Sequence, residues 1–168
     1  MWAFSALPAL PSPVCTRDRR DACFAAAGGG HLAVLQWGRA RDARYGQEEF
    51  LWNTRTSWAA ARGGHLEVLQ WAQENGCPWD TTCCLGAARG GHLRVLQWAR
   101  ENGCAWGEKT CLAAAVGGHL EVLLWARENG CAWDFVECLE AAVGGDPAVF
   151  KWIVDSDPVA AGRVLGIG

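Results

Sequence analysis

Histidine and cysteine bind soft metals, attack carbonyls and move protons, and in this chain they recur at one spacing. His65, His92 and His119 lie 27 positions apart, as do Cys77, Cys104 and Cys131, and again Cys84, Cys111 and Cys138. Cys83 stands beside Cys84. A zinc site needs its ligands within ~2.0–2.3 Å of one ion, and a nucleophile needs its base within hydrogen-bond reach. Both demand convergence, whereas a fixed repeat of helices sets equivalent residues about 10 Å apart. That distance also exceeds the ~7 Å Cα limit for a disulfide between neighbours in one column. Within one unit, His92 and Cys104 fall at opposite ends of a helix rising ~1.5 Å per residue. The repeated cysteines are therefore expected to act as small apolar packing residues. Thiols can meet only across columns, or in the local cluster of Cys77, Cys83 and Cys84. No catalytic residue, metal or cofactor is expected, and the chain reads as not an enzyme.

What positions these residues is a repeated stretch. Residues 90–104 read GGHLRVLQWARENGC; the stretch returns at 63–77 and 117–131, with weaker copies starting at Gly29 and Gly144. Leu93, Val95, Leu96, Trp98 and Ala99 share one helical face, with Arg94, Gln97 and Glu101 opposite. Asn102-Gly103 predicts the helix end, because glycine supplies the left-handed residue that closes it. A shorter helix precedes each copy, built on alanines such as Ala59–Ala61, Ala87–Ala88 and Ala113–Ala115. Small residues let helices approach closely. Asn53, Asp80 and Asp134 are placed to cap these first helices, Asp134 with Glu137 in the manner of a capping box. Asp146 followed by Pro147 marks another start. The Gly-Gly pairs fall between helices, so turns explain them better than a phosphate cradle. Trp37, Trp71, Trp98, Trp125 and Trp152 form one column and Trp52, Trp79, Trp106 and Trp133 another. Base stacking would need a basic groove beside them, so packing between units is the expectation.

The totals agree with a folded, uncharged-looking chain. Half of the 168 residues are apolar and the net charge is −3, which offers no basic stripe for nucleic acid. Nine cysteines, an odd number used at regular positions, fit a reducing compartment better than a disulfide framework. The opening MWAFSALPALPSPVC has no basic start and is broken by Pro8, Pro11 and Pro13, so secretion is not expected. No run approaches 18 apolar residues, so no membrane span is expected. The expectation is an intracellular, cytoplasmic monomer that binds neither nucleic acid nor membrane.

Residues 81–106, TTCCLGAARGGHLRVLQWARENGCAW, resemble an ankyrin repeat in the Ala-Ala, Gly-His-Leu-x-Val and glycine-exit portions. The resemblance covers roughly residues 20–155. It implies an all-α solenoid of ankyrin-like helical hairpins and a non-catalytic role as a protein-interaction module or adaptor. The period is 27 where the family has about 33. The missing residues fall after Trp106, where ankyrin repeats carry a projecting β-hairpin, so tight links are expected instead. The expected organisation is a Pro-containing tail over 1–18, an array over 19–155, and a tail over 156–168. The array holds four full units and a terminal half-unit. His31 and His65 are 34 apart, so the first link carries an insert within 42–51, expected as a loop.

Positions that vary between units are free of the scaffold. Arg55, Arg62, Arg89 and Lys109 vary, lie on the first helices and share a sign, and arginine anchors carboxylates well. Tyr45 and Phe50, in the insert, add two aromatics beside the early units. These six residues are the expected partner-binding set, for an acidic or mixed-charge protein segment. Two other readings stand beside it: a cysteine-based redox or metal sensor, and a targeting fragment of a longer enzyme.

Overall fold

Small side chains decide how the helices meet. The computed structural model describes residues 16–45 and 52–166, with side chains described for 20–41 and 52–166. The described residues form helices and turns only, with no strand. The helices come in pairs: α1 (Thr16–Gly28) with α2 (Leu32–Tyr45), α3 (Thr54–Arg62) with α4 (Leu66–Glu74), and α5 (Thr81–Gly90) with α6 (Leu93–Glu101). Then follow α7 (Glu108–Gly117) with α8 (Leu120–Glu128), α9 (Phe135–Ala142) with α10 (Pro147–Ser156), and α11 (Pro158–Leu165). The fold is all-α. None of these helices is long and apolar enough to cross a membrane.

Successive first helices pack directly on one another, α1 on α3, α3 on α5, α5 on α7 and α7 on α9. Their alanines are buried, Ala60, Ala61, Ala87, Ala88, Ala114 and Ala115 among them. Gly86 shows why small residues are needed: a Cβ there would sit 2.9 Å from the backbone oxygen of Trp58. The second helices contribute Val68, Leu69, Val95, Leu96, Val122 and Leu123 to the same core. Each unit is then tied to the one before it. His65 Nε2 donates to the Gly28 carbonyl at 3.0 Å, His92 to Arg62 at 2.9 Å, and His119 to Arg89 at 3.1 Å. These repeated imidazoles thus satisfy carbonyls left open where the preceding first helix ends.

The helix ends follow the sequence signals. Asn53 and Asp80 accept from the backbone N–H groups of Arg55 and Thr82, and Asp134 from that of Glu137. The reciprocal box forms at Asn53, whose N–H donates to the Thr56 hydroxyl at 3.4 Å. The first helix α5 closes through Gly91 at φ 76°, with the His92 N–H reaching the Ala87 carbonyl. Asn75, Asn102 and Asn129 each donate a side-chain N–H to the tryptophan carbonyl four residues back, ahead of a left-handed glycine.

Three boundaries differ from the sequence reading. α1 begins at Thr16, inside the stretch read as tail. α2 runs to Tyr45, so residues 42–45 of the insert extend a helix rather than form a loop. The reason is local: Arg41 and Asp42 stand where the other units have Asn-Gly, so no stop is present. Residues 46–51 lie outside the described residues. The stretch 156–168, read as a tail, carries α11. Asp157 caps it by accepting from the Ala160 N–H at 2.9 Å, and Pro158 opens it. α11 contacts α9 and α10 and buries Ala161. Leu139 on α9 is fully buried, whereas its counterparts Leu85 and Leu112 are half-buried.

Candidate functional site

Positions seven apart on a helix are two turns apart and share a face. That relation links Arg55 with Arg62 on α3, Thr82 with Arg89 on α5, Lys109 with Val116 on α7, and Val136 on α9 with Val143 just after it. Because the first helices lie side by side, these residues form two rows across the units. Arg55, Arg62, Arg89 and Lys109 are all exposed. The basic part of the rows is anchored on aromatic rings. Phe24 of α1 stacks on Trp58 of α3, with centroids 6.0 Å apart and an interplanar angle of 13°. The guanidinium of Arg55 sits 5.1 Å from the Phe24 centroid, and that of Arg62 sits 5.1 Å from Trp58. Each such contact is worth ~0.5–1 kcal/mol at an exposed site. Its larger effect is to hold two long, exposed side chains in place beside the rings.

Of the expected partner set, the structure places Arg55, Arg62, Arg89 and Lys109 on the first helices as anticipated. Tyr45 ends α2, with its side chain outside the described set, and Phe50 lies outside the described residues. The sequence reading missed the apolar continuation of the rows. Val116, Val136 and Val143 are 46%, 43% and 56% exposed. Their 27-residue register with Arg62, Arg89, Lys109 and Arg55 was the available signal. The face therefore grades from cationic over units two and three, through Lys109 beside Val116 in unit four, to apolar in unit five. A second surface, a groove of about 690 Å³ lined by His65, Leu66, Glu67, His92, Leu93 and Arg94, crosses the starts of the second helices. Its Glu67 and Arg94 carry opposite signs, so it offers no single-sign field.

The tryptophans stack between units, not in the deepest core. Trp52 packs on Trp71, Trp79 on Trp98, Trp106 on Trp125 and Trp133 on Trp152, with centroids 5.4–5.7 Å apart. All eight are half-buried. Arg100 and Arg127 lie 4.3 and 4.7 Å over Trp106 and Trp133. Trp37 departs from its column at 63% exposed. The other members each follow a partner tryptophan by nineteen residues, and at that distance before Trp37 stands Asp18.

The cysteines of the repeated columns, Cys77 to Cys138, are buried, form no disulfide and meet across columns. Cys84 of α5 and Cys104, just after α6, are neighbours, with the Cys84 thiol 3.9 Å from the Cys104 carbonyl, and Cys111 and Cys131 form the same pair one unit later. In unit two the partner of Cys77 is Ser57, with Oγ 3.2 Å from Sγ. The bond from the Cys84 thiol draws Cys104 down to about 7, helped by the Arg100 guanidinium, while Cys84 itself is pushed up. Cys131 is likewise lowered by its bond from Cys111. Burial pushes Cys83 up to about 12 and Cys138 up to about 11. Comparison with protein-family models and with curated proteins gives no match.

Proposed function

We propose that this chain is a non-catalytic adaptor, an ankyrin-like helical-hairpin solenoid that binds another protein through its first-helix face. The partner segment is acidic from unit two as far as Lys109 in unit four, and apolar where it reaches Val116, Val136 and Val143. The observation that carries this reading is the Phe24–Trp58 stack with Arg55 and Arg62 laid over it, continued by Arg89 and Lys109. Preorganised arginines lose little freedom on pairing with carboxylates, and aromatic neighbours supply contact area. The family resemblance of residues 81–106 supports the same reading. So do the buried thiols of the repeated columns, which suit the reducing interior of a cell, where such a partner would be met.

The test is affinity capture from native extract with the wild-type chain and with Arg62→Glu/Arg89→Glu. The double variant should weaken capture of the identified partner at least tenfold, ~1.4 kcal/mol, while stability falls by no more than the ~0.5–1 kcal/mol of the Arg62–Trp58 contact. Val116→Asp/Val143→Asp should weaken the same partner independently. Unchanged capture by the arginine variant would move the interface to the groove along Glu67 and Arg94.

A further inference from the structure

The 27-residue register sets the side chain of position 84 against that of 104, and 111 against 131. The same contact in unit two is between a hydroxyl and a thiol, Ser57 Oγ to Cys77 Sγ, at 3.2 Å. In units three and four the serine is replaced by cysteine, so both atoms in contact are sulfur. Both partners are fixed by further bonds. Cys104 Sγ donates to the Asp80 carbonyl at 3.2 Å, and Cys84 Sγ lies 3.9 Å from the Cys104 carbonyl. Cys131 Sγ repeats the first of these, to Gly107 at 3.4 Å. Arg100 and Arg127 hold the chain at each exit, donating to the Cys104 and Cys131 carbonyls.

We propose that Cys84–Cys104 and Cys111–Cys131 are oxidative modification sites that close to intramolecular disulfides when the folded protein meets hydrogen peroxide. The Cys104 thiolate attacks one peroxide oxygen, the O–O bond breaks, and the departing hydroxide takes a proton to leave as water. Cys104 is then a sulfenic acid. The Cys84 sulfur attacks the Cys104 sulfur, the S–O bond breaks, and hydroxide leaves with the Cys84 proton as a second water. Two thiols have lost two electrons and one peroxide has gained them. Cys104 is the attacking member because its thiol, drawn down to about 7, is ionised near neutrality and Cys84 is not. It is 4% exposed and Cys131 is 0% exposed, so only a small oxidant reaches either, and the Cys104 pair closes first. Cys83, held protonated by burial, does not attack peroxide itself. Cys77 has a serine beside it and has no resolving thiol in that contact.

The full chain would be treated with a few equivalents of hydrogen peroxide, alkylated in denaturant and mapped without reduction. Two cross-linked peptide pairs, 84 with 104 and 111 with 131, should form in that order and disappear on adding dithiothreitol. Cys104→Ser should abolish the first pair and leave the second; unit two already carries one serine in this contact, so the change is compatible with the fold. Ser57→Cys should add a third pair, 57 with 77. Four results would overturn the proposal. These are thiols at all four positions still open to alkylation, sulfinic acid at Cys104 with Cys84 free, cross-links scrambled between units, or failure of Ser57→Cys to yield its pair.

Discussion

Trp98→Ala tests whether tryptophans hold neighbouring units together. Trp98 is half-buried, with its ring 5.5 Å from that of Trp79. Deleting a fully buried tryptophan side chain costs ~3–5 kcal/mol, and half burial scales this to ~1.5–2.5. Losing the tilted ring pair adds ~0.5–1.5 kcal/mol, for a total of ~2–4. Trp37→Ala is the internal control: at 63% exposed, it should cost under ~0.5 kcal/mol. Urea melts followed by far-ultraviolet circular dichroism read both, and a cycle with Trp79→Ala isolates the ring-pair contribution at ~0.5–1.5 kcal/mol. Equal losses at Trp98 and Trp37, or a coupling energy of zero, would show that the rings are surface ornaments and that the backbone contacts alone join the units.

Two further outcomes follow from the helix ends. Burial lowers the pKa of His92, so the unfolded chain binds that proton first, and stability should fall as pH drops through about 6.5 toward the folded value. The urea midpoint should be lower at pH 5 than at pH 7.5, and His92→Gln, which keeps a donor for the Arg62 carbonyl, should reduce the slope. Asp157→Ala removes the cap of α11 and should cost ~0.5–2 kcal/mol, measured as a lower melting temperature; no change would mean that α11 adds nothing to the fold.

The helical elements were legible because their signals are local and repeated. Asn53, Asp80 and Asp146 stand before helices and cap them; glycines follow Asn75, Asn102 and Asn129 and end them. The extension of α2 was equally present in the sequence, since Arg41-Asp42 lacks the Asn-Gly stop, but a length difference between units reads first as a loop. α11 announces itself with Asp157-Pro158, the same pair of residues as Asp146-Pro147. It was passed over because it breaks the 27-residue register. The candidate face was half legible: a change of charge between units points to exposed positions, which found the arginines. An exposed valine looks like a buried one in sequence, so Val116, Val136 and Val143 were missed. The Phe24–Trp58 stack and the Cys84–Cys104 contact join residues 34 and 20 positions apart, and spacing along the chain does not reveal which side chains meet once helices fold back.

The backward reach of His65, His92 and His119 has a consequence for how such a chain can change its length. The first three junctions present the same acceptor carbonyl and the same imidazole, while Asp146 stands in the histidine's place at the fourth. Excising residues 90–116 would join Arg89 to Gly117 and recreate the local sequence Arg-Gly-Gly-His, with His119 facing the Arg62 carbonyl as His92 did. A cut one residue longer or shorter would misplace the imidazole and rotate the following helix away. Genetic duplication or loss in whole multiples of 27 codons is therefore silent to the fold, while the first-helix rows are lengthened or shortened by one step. The first-helix face can be resized by recombination while the repeated turn contacts are kept.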